Sequence, residues 1–153
     1  MAPLDLTKTE LTPQEIEDIR TEVARFEMLY HEHCGALSAL QRANLTRAYQ
    51  NLVDLGIGLE CPANALMAWG VHTGLTNDML EDWRFIERLL LAYDGGHKDL
   101  DAYIRELYSR FFNVDNAQAL RFVDTKAFKD ELEYCGWCFT PSLDGTIFFA
   151  FND

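Results

Sequence analysis

The stretch TPQEIEDIRTEVARFEMLYHEHCG, Thr12 to Gly35, carries the best-marked helix signals of the chain. Thr12 and Glu15 form a capping box, with Pro13 at the first helical position. Apolar residues then recur at spacings of three and four, which places them on one helix face, and Gly35 can end the helix. They are Ile16, Ile19, Val23, Phe26, Tyr30 and Cys34. A long amphipathic helix here predicts a mainly helical fold packed against its apolar face.

Similar signals predict helices after the first one. Ser38 and Gln41 form a second capping box, for a helix that Gly56 ends. A shorter helix begins at Cys61-Pro62, and a fourth runs from Thr76 to Tyr93, where the Asp94-Gly95-Gly96 run ends it. Asp99 caps a fifth helix. Four or five helices in about a hundred residues predict a compact bundle.

The last forty residues change character. Leu120 and Phe122 alternate as in a short strand, Asp124 caps a short helix, and two strand-like runs flank the turn signal Asp144-Gly145. Both faces of the last run are apolar, which is typical of a central strand or of an interface. We therefore expect an α+β, mainly helical fold, a helical bundle followed by a short helix and a C-terminal β-hairpin. The simplest organisation is one domain over residues 1–153, with a helical part at 12–113 and an α/β tail at 114–153.

Charge narrows the classes of partner. The 153 residues include 25 Asp and Glu against 13 Lys and Arg, a formal net charge of −12. Coulomb repulsion opposes direct binding of nucleic acid or of an anionic membrane and favours a protein with a basic surface. The sequence shows neither the basic and apolar regions of a secretory signal nor an apolar run of the ~20 residues that a membrane helix needs. We expect a cytoplasmic protein.

Acidic residues on predicted helices are the candidates for contact with such a partner. Glu15, Asp18 and Glu22 recur at helical spacing on the first helix, and Glu27 follows on the same helix. Glu81 and Asp82 lie near the start of the fourth helix. The sequence predicts all six to be partner-binding residues, although an ordinary solvated helix face has the same pattern.

Four cysteines allow three interpretations. Cys135-Gly136-Trp137-Cys138 is a CxxC pair, but Cys135 falls at a predicted helix C-terminus, where the dipole disfavours the thiolate that redox chemistry requires. A structural zinc site would need two further ligands, for which His31 and Cys34 have the right helical spacing. In the third interpretation the cysteines are buried, reduced thiols, since free cysteine is among the most buried residue types.

No catalytic or nucleotide-binding motif is recognisable in the chain, and we expect no enzymatic activity. Aromatic residues such as Tyr108, Phe111 and Phe112 exceed what a small bundle requires. An exposed aromatic cluster framed by carboxylates would suit a partner with basic and apolar contact points.

The leading hypothesis is a small acidic binding protein, without cofactor, that docks on and blocks a basic, nucleic-acid-binding site of a partner protein. This profile is similar in composition to phage-encoded inhibitors of host defence complexes, to immunity proteins that neutralise toxins, and to DNA mimics. One alternative is an assembly subunit that forms homodimers or larger oligomers through the apolar C-terminal hairpin. Another is a module stabilised by zinc on His31, Cys34, Cys135 and Cys138.

Overall fold

The computed structural model describes residues 11–57 and 62–152. In these ranges the chain forms helices and a small sheet and divides into two compact units, Met1–Leu91 and Ala92–Asp153. The helices are α1 (Pro13–His33), α2 (Ala39–Asp54), α3 (Pro62–Thr73), α4 (Thr76–Leu80), α5 (Trp83–Ala92), α6 (Leu100–Phe112), α7 (Ala117–Leu120) and α8 (Thr125–Tyr134). The strands are β1 (Tyr93–His97), β2 (Trp137–Pro141) and β3 (Phe148–Asn152). The predicted α+β, mainly helical fold is confirmed.

Helices α1 and α2 begin where their capping boxes predict. The Glu15 backbone N–H donates to Thr12 Oγ1 at 3.1 Å, and the Thr12 N–H donates to Glu15 Oε1 at 2.9 Å. Ser38 and Gln41 make the equivalent pair at 3.0 and 2.9 Å. These bonds satisfy N–H groups that a helix N-terminus otherwise leaves without partners.

Helix α3 lies at the centre of the first unit. It packs against α1 and α4. Small and apolar side chains of α3 are buried on almost every side of the helix: Ala63, Ala65, Leu66, Met67, Ala68 and Trp69. Gly70 lies very close to α4, because a Cβ there would lie 2.6 Å from Thr76 Oγ1 and 3.1 Å from Thr76 Cα. A larger residue at this position would push the two helices apart. The buried apolar face of α1 is shorter than predicted, since Ile16 and Cys34 at its two ends are exposed.

The single helix predicted over Thr76–Tyr93 was wrong, because the structure divides it into α4 and α5. Asp82 lies between them, and its carboxylate accepts the Arg84 backbone N–H at 2.9 Å. An N-cap of this kind starts a new helix and so separates it from the preceding one. The Trp83 ring beneath the Arg47 guanidinium, 4.1 Å from the ring centroid, then links α5 to α2.

The second unit contains a three-stranded antiparallel sheet in the order β1-β3-β2. Strand β1 was missed, since Asp94-Gly95-Gly96 is typical of a helix connector. Its pairing with β3 is bulged: Tyr93 pairs with Phe151 and Gly96 with Phe149, so β1 carries one extra residue. Gly95 in the bulge has φ +93°, a conformation that glycine adopts without steric cost. Long-range pairing with β3 therefore overrides the local turn signal.

The predicted C-terminal hairpin is present. Strands β2 and β3 pair from Trp137 with Asn152 to Pro141 with Phe148. Strand β3 is central, and its Phe149, Ala150 and Phe151 side chains are at most 2% exposed. These three side chains are thus covered within the chain, whereas Phe148 is half-buried. The assembly alternative stays a prediction.

The end of the helical part also differs from the prediction. Residues 117–120 form α7 rather than a strand, and Phe122 is 89% exposed. Helix α6 packs against α8 and α7, so the predicted division at residues 113 and 114 falls inside the second unit. One polar N-cap explains the helical start at this point, since Asn116 Oδ1 accepts from the N–H groups of Gln118 and Ala119. The assignment of residues 1–153 to one domain stays a prediction.

Hydrogen bonds in the hairpin turn should lower the pKa of the Asp144 carboxyl. Asp144 Oδ1 accepts hydrogen bonds from the Thr146 backbone N–H at 3.0 Å and from the Ser142 and Thr146 hydroxyls at 2.7 Å each. These bonds lower the pKa of the Asp144 carboxyl from 3.8 to about 2. Because the folded-state pKa is lowered, its contribution to stability is complete above about pH 4 and is lost as the pH falls towards 2.

NMR titration of the Asp144 carboxyl should therefore give a midpoint near 2, and Ser142→Ala should raise it towards 3.8. A midpoint near 3.8 in the unsubstituted protein would contradict this description of the turn.

Candidate functional site

Glu22 is buried rather than exposed, which corrects its predicted place on an acidic surface. It is 7% exposed, and its carboxylate joins the Arg25 guanidinium at 2.5 Å and accepts the Ala63 backbone N–H at 3.3 Å. Ala63 is in the first turn of α3, where N–H groups lack partners within the helix and the dipole favours an anion. The charge also helps to raise the pKa of the buried Tyr49, after burial itself. Glu22 thus joins α1 to α3 inside the first unit.

The other predicted acidic residues of α1 divide into occupied and exposed ones. Glu15 closes the capping box described above. Glu27 pairs with Arg42, whose hydrogen bond lowers the pKa of the Glu27 carboxyl, so its charge is matched within the chain. Asp18 is exposed, and its carboxylate accepts a hydrogen bond from the neutral Gln14 amide at 2.8 Å. Glu17 and Glu32, which the prediction left out, are also exposed on α1.

Glu81 and Asp82 lie between α4 and α5, and both are exposed. Asp82 caps α5 and lies 4.0 Å from the Arg84 guanidinium, so its charge is partly engaged. Glu81 follows the last residue of α4, three positions after the exposed Asp78. At this corner of the first unit the carboxylates face water.

The cysteines are less buried than the third interpretation expected. Cys34 follows the last residue of α1 and is exposed, as is Cys135 after the last residue of α8. Cys138 is half-buried, and its Sγ lies 3.3 Å from Thr140 Oγ1. Cys61 lies outside the described residues. All three described cysteines are free thiols, and Cys135 has the helix C-terminal position that disfavours a redox thiolate.

The zinc alternative gains no support from the side-chain positions. His31 and His33 are exposed in the last turn of α1, beside Cys34. Over residues 11–57 and 62–152, no three His, Cys, Asp or Glu side chains form a group that could hold a metal ion.

A polar cluster in the second unit joins β1 to α6. The Tyr103 hydroxyl donates to the Asp94 carboxylate, and the His97 ring stacks on Tyr103 with centroids 3.5 Å apart. His97 Nε2 lies 3.1 Å from the Asp94 carbonyl oxygen. Burial and the bond to Asp94 raise the pKa of the Tyr103 phenol. The three residues are engaged with one another, and the cluster fixes the bulged strand to the helix.

The second unit also contains an apolar groove of about 530 Å³. Tyr108 on α6 and Phe128 on α8 form part of its wall, together with Phe122 and Val123 from the segment before α8. Two carboxylates, Asp124 and Glu131, are its acidic lining residues. Sequence reasoning missed Phe122, because its alternation with Leu120 resembles a strand.

Edge-to-face and tilted ring contacts hold the groove wall in place. Phe128 contacts Tyr108, Phe111 and Phe112, with centroids 5.2, 6.3 and 6.0 Å away. Phe111 and Phe112 are 54% and 58% exposed, which confirms that part of the predicted aromatic surplus lies at the surface. Carboxylates beside exposed rings are the combination that the sequence suggested for a partner-binding surface.

The chain matches no family model, no curated protein and no solved structure. Within the described ranges, no helix has the length and apolarity required to cross a membrane.

Because Glu22 is buried, removing its charge should lower the free energy of unfolding measurably. Glu22→Gln removes the charge that Arg25 and the α3 N-terminus face, and hydrogen bonds to charged groups contribute about 1.5–3 kcal/mol. Urea denaturation should show a loss of about 1–3 kcal/mol in the free energy of unfolding. Glu17→Gln on the exposed part of α1 is the matched control and should change it by less than about 0.5 kcal/mol. Equal effects of the two substitutions would show that Glu22 does not have this structural role.

Proposed function

We propose that this protein is a non-catalytic binding protein that docks on and blocks a basic, nucleic-acid-binding site of a partner protein. The observation that carries the proposal is the combination of a net charge of −12 with exposed carboxylates on the first unit. Those carboxylates are Glu17, Asp18, Glu32, Asp78 and Glu81. For none of these five do the described residues supply an ion pair with Lys, Arg or His.

Opposite charge acts first on the rate of encounter. Fields of this sign raise the association rate with a basic site by about ten- to a thousand-fold at low salt. Ordinary ionic strength screens them over roughly 8–10 Å, so binding should weaken as salt is added. Salt-sensitive binding is therefore a required property of the proposed complex.

The revised surface differs from the predicted one. Glu22 belongs to the interior, Glu15 to the helix cap, and Glu27 to a pair with Arg42. Asp18 and Glu81 stay in the proposed surface, and Asp82 stays at its edge because it also caps α5. Exposed Arg20 interrupts the acidic residues of α1, which favours recognition of a particular basic surface over general mimicry of DNA.

The partner can be obtained by capture on the immobilised protein. The source-cell lysate is treated with nuclease, so that nucleic acid cannot bridge two proteins, and is applied at low and high salt. Mass spectrometry of the retained fraction should identify a basic, nucleic-acid-binding protein that elutes as salt rises. Retention of proteins that are neither basic nor nucleic-acid-binding would contradict the proposed function.

The surface assignment is tested with the captured partner and two double variants of equal charge. Asp18→Lys with Glu81→Lys changes the proposed surface, whereas Asp115→Lys with Asp130→Lys changes exposed acids of the second unit. The first variant should lose about tenfold or more in affinity, or about 1.4 kcal/mol, beyond the loss of the second. Both are measured by titration at constant salt. Equal losses would mean that net charge alone matters and would remove these residues from the interface.

A further inference from the structure

The apolar groove of the second unit has no role in the acidic surface just described. We infer that it receives the apolar face of a short, basic, amphipathic helix belonging to the partner protein. The inference rests on the proposed function for the basic character of that partner. The inference adds a second contact point to the proposed complex. It also specifies the chemistry of the partner segment that binds in the groove.

The apolar side of the contact is an exposed aromatic surface. Phe122 is 89% exposed at the groove, and Tyr134, further along α8, is also 89% exposed. Contiguous exposed apolar surface marks interaction sites, and aromatic residues are enriched among interface anchors. Ala127, Glu131 and Tyr134 follow one another at helical spacing, so the surface continues along α8 for about 10 Å.

The shape favours a peptide segment over a small molecule. Small-molecule sites bury most of their ligand within enclosing walls. Here Phe122 in the wall and Phe112 packed on Phe128 are largely exposed, so the groove is open along one side. An open apolar groove lined by helices is the arrangement that accepts one face of an amphipathic helix.

The carboxylates that line the groove favour a basic helix over an acidic one. Asp124 and Glu131 both line the groove, and the described residues that line it include no Lys, Arg or His. Asp124 Oδ1 caps α8 through the Ala127 N–H at 3.1 Å, which fixes the carboxylate at the groove. Lys129 is turned to a different part of α8, where it pairs with Glu133 at 3.2 Å. A helix with Lys or Arg beside its apolar face therefore complements this groove, whereas an acidic helix would be repelled.

A second copy of this chain is less well matched to the same surface. Two copies would bring together the same two carboxylates and two chains of net charge −12. Like charges facing each other across a two-fold interface oppose association. Self-association is accordingly an outcome that would overturn the inference.

The test uses a fluorescent synthetic peptide of Leu and Lys, about four helical turns long, with one continuous apolar face. A Leu/Glu peptide with the same apolar face and a scrambled Leu/Lys peptide of equal charge are the peptide controls. Fluorescence anisotropy with the full-length protein should show binding of the first peptide at least about tenfold tighter than of either control.

Variants locate the binding to the groove. Phe122→Ser should weaken peptide binding about tenfold or more, whereas Met28→Ser, which removes a 66% exposed apolar side chain from α1, should leave it unchanged. Glu131→Lys should weaken it several-fold, whereas Asp130→Lys, at the adjacent exposed position of α8, should have at most half that effect. Because the changed side chains are exposed, circular dichroism should show all four variants folded.

The contrary outcomes are distinct. Equal binding of basic and acidic peptides, or equal effects of the paired variants, would overturn the inference. Concentration-dependent dimerisation that Phe122→Ser abolishes would assign the groove to a second copy instead. If peptide binding fails while the double variant of Asp18 and Glu81 still loses affinity for the captured partner, the groove inference falls and the proposed function stands. If peptide binding succeeds and no basic partner is found, the proposed function falls.

Discussion

The buried carboxylate of Glu22 joins α1 to α3 in the first unit, whereas the other acidic residues of α1 remain in contact with water. Removing an ionised carboxylate from water is costly unless its charge is matched. Among the described residues, Glu22 is the one buried charged side chain. Its carboxylate contacts the Arg25 guanidinium and the N-terminus of α3. This contact ties the longest described helix to the most buried one. The remaining acidic residues of α1 are at least partly exposed, where they can attract a basic partner.

The two units therefore offer different surfaces to a partner. The first presents carboxylates such as Asp18 and Glu81, which act over a distance and are screened by salt. The second presents an open aromatic groove with Asp124 and Glu131 in its lining, which acts only on contact. In the proposed complex, charge would bring the basic partner near and burial of apolar groups would slow its release, since affinity differences lie mostly in dissociation. The charged and the apolar contact would thus act on different steps of binding.

Local signals predicted the elements that local interactions determine. Capping boxes at Thr12 and Ser38, and Asp caps at Asp99 and Asp124, all make the expected hydrogen bonds. Strand β1 was missed because it depends on pairing with β3, more than fifty residues away, against a strong turn signal. Glu22 and Glu17 look alike in the sequence, and only the packing of α3 decides which is buried. Phe122 and the groove were missed because an exposed aromatic in an irregular segment has no periodicity to mark it.

In the proposed function, this protein and nucleic acid compete for one basic site on the partner. The direct measurement follows labelled nucleic acid bound to the purified partner while this protein is added. Bound nucleic acid should fall to zero at saturation, and the concentration of this protein needed for half-displacement should rise linearly with the nucleic acid present. A ternary complex, in which nucleic acid stays bound to a partner saturated with this protein, would rule out competition for one site.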